Sequence, residues 1–287
     1  MLAKLVADVP EADAVEGGLS FEPKWDGFRA IVSVDAGGAV EIGSRGSKPL
    51  TRYFPELVAE FAQQLPAGTV VDGEIVVRVG AAGGERLDWE SLSQRIHPAD
   101  SRVQKLAVET PASFVGFDLL AENGASLLDA PFSERRAALE RVLATVRAPI
   151  HLSQTTRDAE AARRWLVEFE GAGLDGVIAK PLAAPYAPGK RVMLKIKHER
   201  TADVVLFAYR VHKSGSGVGS LLLGLYTAEG QLVPVGGASA FSNARRLELI
   251  DELVPLLERD ESGDIVTGEG ERSRFSASKD VSFVKLR

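Results

Sequence analysis

Short apolar runs rich in β-branched residues, each bounded by glycine, proline or a turn residue, recur along the chain and commit it to a strand-dominated fold. They cover Leu19–Pro23, Ala30–Val34, Val40–Gly43, Thr69–Val77, Ala112–Leu120, Gly176–Ala179 and Val192–Ile196. Helical spacing of apolar residues interrupts them in three places. Tyr53–Leu65 carries Phe54, Leu57, Val58 and Phe61 on one face, and Phe132–Val146 follows Pro131, a residue suited to the first helical turn. Asp158–Glu170 has Asp158 as N-cap, an apolar stripe of Ala162, Trp165, Leu166 and Phe169, and Gly171 and Gly173 to stop it. The mixture predicts an α+β class. Gly80–Arg86, rich in glycine and alanine, reads as a flexible loop.

Beyond Arg200 the pattern changes. Val204–Val211, Gly219–Tyr226 and Leu232–Gly237 read as strands between Gly/Ser turns, and a helix is predicted over Asn243–Leu257 with Leu247, Ile250, Val254 and Leu257 on one side. Several short strands with one helix fit a small Greek-key barrel such as an OB-fold. A chain of 287 residues accommodates a large domain and a small one, divided here into 1–198 and 199–287. The absence of cysteine removes disulfides, thiolate metal sites and cysteine nucleophiles, and suits a reducing cytoplasm. No signal segment opens the sequence and no apolar run reaches membrane-spanning length, so no membrane partner is expected. With a net charge of −6, any nucleic-acid binding must use a local patch. Gly189–Arg200 supplies one, with Lys190, Arg191, Lys195, Lys197 and Arg200 against the single acid Glu199. Read alone, that segment is also an ordinary solvated surface.

The most informative hexapeptide is Lys24-Trp25-Asp26-Gly27-Phe28-Arg29, set between two strand runs. Its lysine is either a surface charge on a hairpin or a nucleophile. A lysine amine is protonated in neutral water and gains nucleophilicity where desolvation or nearby cations lower its pKa. Lys195 and Lys197, two apart and therefore on one face of a strand, are candidates for that environment. Downstream follow Asp72-Gly73-Glu74, Phe117-Asp118, Asp175-Gly176-Val177-Ile178-Ala179-Lys180 and Lys195-Ile196-Lys197. Each segment alone is weak. In this order they resemble the signature of the covalent nucleotidyltransferases, which include ATP-dependent DNA ligases, RNA ligases and capping enzymes. Glu22-Pro23-Lys24-Trp25-Asp26-Gly27-Phe28-Arg29, together with His212-Lys213-Ser214-Gly215 and Gly219–Gly224, is similar to bacterial stand-alone ATP-dependent DNA ligases related to end-joining enzymes.

The resemblance implies an adenylation (nucleotidyltransferase) domain of antiparallel sheets with flanking helices, followed by an OB-fold domain. It implies that Lys24 attacks the α-phosphorus of ATP to give a lysyl-AMP, and that Lys180, Lys195 and Lys197 approach the α-phosphate. It places Glu22 at adenine, Phe117 in a stack on the base and Arg29 near the ribose and phosphates. Arg45, in Ser44-Arg45-Gly46, would meet the nucleotide or a DNA 5′-phosphate. Gly27 would permit a tight turn beside the nucleotide. Glu74 would serve the ribose or Mg²⁺ (or Mn²⁺), with Asp175 as a second metal carboxylate where the family usually has glutamate. A core position competes for Phe117, because Phe114 and Phe117 share an apolar strand, and a solvated turn competes for Arg45.

The implied activity is sealing of nicked or broken duplex DNA by a monomer, alongside DNA repair or end-joining proteins, with a mobile hinge near His198–Thr201. RNA ligation, capping-type transfer and non-catalytic DNA-end binding are the alternatives. The final basic motif of the family has no match in Phe275–Arg287 despite Lys279, Lys285 and Arg287, so a truncated small domain is expected.

Overall fold

The computed structural model describes residues 1–46, 48–81, 84–169, 171–197, 201–270 and 281–287. The chain divides into two compact units, residues 1–199 and 200–287. In the first unit the elements run β1 (Leu2–Leu5), β2 (Leu19–Pro23), β3 (Phe28–Val34), β4 (Val40–Ser44), α1 (Pro55–Gln64), β5 (Thr69–Val79), β6 (Arg86–Leu87), α2 (Trp89–Gln94) and α3 (Asp100–Glu109). They continue with β7 (Ala112–Glu122), β8 (Ala125–Ser126), α4 (Phe132–Val142), β9 (Ile150–Leu152), α5 (Ala159–Glu168), β10 (Gly176–Pro181) and β11 (Arg191–Lys197).

Among the described residues these strands form two sheets. The larger has the order β4-β3-β5-β7-β8, with β6 on β5 and β9 on β7; the smaller has the order β1-β11-β10-β2. Pairing is antiparallel except for β1 with β11 and β7 with β9. Alternation along each strand sends one set of side chains to a helix and the other to the space between the sheets. In the larger sheet Ala30, Val32, Val71, Ile75, Phe114 and Leu119 meet Leu57 and Phe61 of α1 and Leu139 of α4. In the smaller sheet Leu19, Phe21, Val177, Ala179 and Ile196 pack on Ala159 and Ala162 of α5.

The predicted helices form, trimmed at their ends. Asp158 caps α5 by accepting from the Glu160 N–H at 2.9 Å. Pro131 is the N-cap of α4 and not its first helical residue. The α2–α3 region was not predicted. It offers little apolar periodicity, since α3 buries only Val103 and Leu106. A fully buried Arg95 fastens it to α1 through a two-pronged pair with Glu56 at 2.6 and 2.9 Å.

The second unit contains β12 (Val205–Val211), β13 (Val218–Tyr226), β14 (Leu232–Ala238), α6 (Asn243–Leu253), β15 (Thr267–Glu269) and β16 (Ser282–Lys285). Its described strands form a half-barrel sheet ordered β14-β13-β12-β16-β15. Leu249 and Leu253 of α6 pack with Tyr209, Val218, Leu257 and Leu286. The predicted stripe on this helix needs correction. Leu247 and Val254 are 55% and 50% exposed, because the buried face runs through Leu249 and Leu253. The expected hinge residues 198–200, and Lys279, lie outside the described residues.

Candidate active site

Lys24 does not sit on a hairpin. Its preceding strand β2 belongs to the smaller sheet and its following strand β3 to the larger, so residues 24–27 are the crossing between them. A cavity of about 970 Å³ opens at this crossing. Both sheets line it, with Glu22, Lys24, Ile178, Lys180, Met193 and Lys195 on one side and Arg29, Asp72, Glu74 and Phe117 on the other.

The Lys24 backbone is fixed at both ends of its peptide unit: its N–H donates to the Gly176 carbonyl at 2.8 Å and its carbonyl accepts from the Asp175 N–H at 3.0 Å. Gly176, with φ of +139°, lets β11 pass close beside this junction; a Cβ there would lie 1.9 Å from the Ile196 carbonyl. The same junction places Lys24 Nζ 2.5 Å from Asp175 Oδ2, and Lys197 Nζ reaches that oxygen at 2.6 Å. Burial raises the Asp175 pKa, but hydrogen bonds from Lys197 and Lys24 outweigh it and hold the carboxyl below its ordinary value. One carboxylate thus holds the two lysines of separate motifs together.

At the dry end of the cavity, Lys180 Nζ pairs with Glu22 Oε1 at 2.6 Å and donates to the Phe117 carbonyl at 3.1 Å. It also lies over the Phe117 and Phe132 rings, 4.6 and 4.7 Å from their centroids. Burial raises the Glu22 carboxyl pKa, a shift that Lys180 opposes. Its second oxygen, Glu22 Oε2, is buried and has no hydrogen-bond partner. A buried acceptor left open beside a cavity suits a ligand amino group.

Phe117, three residues from core-facing Phe114, turns to the cavity by alternation, and a bulge at this point of β7 brings Asp118 to the same side. Asp72 pairs with Asp118 and Gly73 with Gly116, so Phe117 is the extra residue. Without the bulge, alternation would place only one of the adjacent Phe117 and Asp118 on the cavity side. With it both line the cavity, and Leu119 returns to the core. Phe114, by contrast, is core and meets Phe61 edge-on at 5.0 Å. The two phenylalanines of one strand therefore separate into packing and site.

Arg29 grips Asp72 with two prongs, Nε to Oδ1 at 3.0 Å and Nη2 to Oδ2 at 2.6 Å, and donates through Nη1 to the Met1 carbonyl at 2.6 Å. Glu74, on the same face of β5, has its pKa raised to about 8. Burial is the main cause; the nearby Arg29 and Lys24 and a hydrogen bond from the Gly27 N–H only partly counter it. Gly27 is required here by crowding rather than by a special turn. A Cβ would lie 2.2 Å from the Ile75 carbonyl of β5. Arg45 lies exposed on the rim with Lys48. Arg52 also lines the cavity and donates to the Pro98 carbonyl at 2.8 Å.

Of the two carboxylates expected to hold a metal, Glu74 lines the cavity, whereas Asp175 is outside the lining and engaged by two lysines. Among the described residues no group of three or more His, Asp or Glu side chains is gathered for a metal. That is compatible with Mg²⁺, which uses one or two carboxylates together with phosphate oxygens and water.

Three contributors escaped the sequence reading. Asp72 shares a motif with Glu74, and a carboxylate inside an apolar strand is itself a sign of a buried partner. Asp118 forms a fully buried two-pronged pair with Arg135 of α4 at 2.8 and 3.0 Å, behind the Phe117 bulge. Tyr186, in the β10–β11 connection, donates to Asp72 Oδ2 at 2.8 Å, and no local pattern marks it.

The sequence model of the ATP-dependent DNA ligase domain matches residues 1–197, which holds all of the residues above. The chain belongs to the ATP-dependent DNA ligase family. It is 51% identical over its whole length to DNA ligase C1 of Mycolicibacterium smegmatis, covering 80% of that protein. It is likewise 51% identical over its whole length to DNA ligase C of Mycobacterium tuberculosis, covering 81%. Among solved structures, mycobacterial DNA ligase D complexed with ATP and MES matches at 28% identity and a TM-score of 0.50, over all of this chain and 86% of the other. The matched ligase domain is thus a mixed α+β unit of sheets and few helices. No helix among the described residues is long and apolar enough to cross a membrane.

Proposed function

We propose that this ATP-dependent DNA ligase seals nicks through Lys24. Lys24 Nζ attacks the α-phosphorus of ATP, a P–N bond forms, the P–O bond to pyrophosphate breaks, and the lysine gives up two of its three ammonium protons. A 5′-phosphate oxygen of DNA then displaces Lys24 from the AMP phosphorus. The neighbouring 3′-hydroxyl finally attacks the 5′-phosphorus, losing its proton and expelling AMP. The observation that carries this reading is the shared cavity: Lys24 lines it together with the open oxygen of Glu22, the Phe117 ring, Arg29, Glu74 and Lys195.

Adenine fits the Glu22–Phe117 end, where its amino group meets Glu22 Oε2 and its face meets the ring. Lys180 supports that end, in place of the α-phosphate role expected of it, because its ammonium is already engaged by Glu22 and the Phe117 carbonyl. Lys195, which lines the cavity, and Lys197, whose partly exposed pair with Asp175 can be exchanged for a ligand, serve the α-phosphate. Asp175 then parts from Lys24 when nucleotide arrives. Mg²⁺, which offsets phosphate charge when bound, would be held by Glu74 and Asp175 with substrate oxygens. Phosphoryl transfer of this kind depends on positioning and charge, and neither acid is needed as a base.

Residues 1–198 act as the adenylation domain in this reading, and 199–287 as an OB-type DNA-binding domain. Duplex DNA would be held mainly through phosphate contacts, Arg45 among them. End-joining proteins are its natural partners, and the monomer is its working form. The test is incubation with Mg²⁺ and α-labelled ATP, then nicked DNA, nicked RNA or no acceptor. Label retained through denaturation by wild type but not by Lys24→Ala, and discharged by nicked DNA, is expected. Label that persists on Lys24→Ala would overturn the assignment of the nucleophile.

A further inference from the structure

Arg29 faces the cavity with most of its hydrogen-bonding capacity already used. A guanidinium has five N–H donors. Nε and one Nη2 proton go to Asp72, one Nη1 proton goes to the Met1 carbonyl, and the second Nη2 proton lies toward the Tyr186 hydroxyl at 3.3 Å. One Nη1 proton remains for a ligand. Where it points depends on how firmly the other four are held.

Tyr186 closes that arrangement. Its hydroxyl accepts from Arg29 and donates to Asp72 Oδ2 at 2.8 Å, so arginine, carboxylate and phenol form a three-membered ring of contacts. Burial and the Asp72 charge raise its pKa, which keeps the phenol a donor. The ring is not a loose loop residue. Arg135 stacks on it at 5.6 Å, and the Tyr186 N–H is bonded to the Leu128 carbonyl at 2.8 Å. On the same connection, Ala184 is bonded through its carbonyl to the Phe132 N–H and to Arg135 Nη1. The connection leaves the smaller sheet at β10, whereas Arg29 and Asp72 stand on β3 and β5 of the larger one. The hydroxyl therefore ties one wall of the cavity to the other.

We infer that Tyr186 is a positioning residue for nucleotide binding: it holds the Arg29 fork, through Asp72, in the one orientation that presents its free N–H to ATP. This rests on the ligase reading above. The hydroxyl touches no reacting atom, so its loss weakens capture of ATP without slowing attack by Lys24.

Tyr186→Phe keeps the ring on Arg135 and removes only the hydroxyl. The initial rate of Lys24 adenylation, measured against ATP concentration, is expected to need about threefold to tenfold more ATP for half-saturation, from the worth of one buried hydrogen bond. The saturated rate should stay within about twofold and the melting temperature within a few degrees. In an Asp72→Asn background the same substitution should add less than about twofold, because the two changes break one network. An unchanged ATP requirement, a fall in the saturated rate alone, or full additivity with Asp72→Asn would each overturn the inference. A wild-type chain that takes no label would instead overturn self-adenylation at Lys24, the step on which the inference rests.

Discussion

Ion pairs at the two ends of the cavity are built to opposite specifications. At the Lys24 end, Lys24, Asp175 and Lys197 have side chains 18%, 30% and 38% exposed. At the other end, Lys180 and Glu22 are 3% and 4% exposed, and Arg135 and Asp118 are 0% and 1%. An ion pair in contact with water is weak and can be exchanged for a ligand at little cost. A dry pair cannot lose one partner without stranding the other charge. The difference separates groups that must change partners during a reaction from groups that must not move while a base is read.

The sharpest way to break this contrast is at Lys24. Lys24→Ala should lower self-adenylation by more than about 10³-fold, because the nucleophile itself is gone. Its melting temperature should barely change, since the contact it loses is a partly exposed pair. Labelled-ATP gel assay and thermal melt on the same preparation check both halves. A large stability loss would mean that Lys24 is a structural residue.

The dry end should behave in reverse. Arg135→Met leaves Asp118 charged and buried, at a cost of about 3–5 kcal/mol in urea unfolding. Adding Asp118→Leu to that variant should recover much of the loss, because a hydrophobic pair needs no compensation. If the double variant is no better than the single, the pair contributes through its links to the Ala130 and Ala184 carbonyls rather than through charge.

How much of this was legible follows the same division. The strands and the order of the motifs were visible because alternation and glycine boundaries are local. The reason for Gly27 was not, since it lies in the Ile75 carbonyl of a strand far along the chain. Phe114 and Phe117, three apart, fall on opposite faces by alternation, but which face meets a cavity, and that a bulge adds Asp118 to it, depends on pairing with β5 and leaves no mark on β7 alone. Tyr186 and Arg135 act on residues more than a hundred and about seventeen positions away, respectively. The strands of the second unit were legible for the same local reason, whereas the closure of a sheet into a barrel depends on pairing between distant strands.

Between the extremes lies Lys197, which shares Asp175 with Lys24 but is the more exposed of the two lysines. Lys197→Ala should slow adenylation by about a hundredfold at saturating ATP, the usual worth of one preorganised donor on a developing charge. Binding of ATP should weaken less. A change confined to ATP affinity would place Lys197 in ground-state binding and remove it from the reactive end.

Glu74 gives the smallest effect and the finest test, because it belongs to neither class. It is mostly buried, yet Arg29 and Lys24 act on it only from nearby, and its pKa stands at about 8 against an ordinary 4.5. The folded chain therefore holds a proton that the unfolded chain releases. Stability contributed by that proton is complete below about pH 4.5 and is lost as pH rises through about 8. Glu74→Gln has no proton to lose. Its melting temperature should gain on that of wild type by several degrees between about pH 5 and pH 8. Parallel profiles for the two proteins would mean that Arg29 and Lys24 compensate Glu74 fully, which would move it into the class of the dry, paired carboxylates.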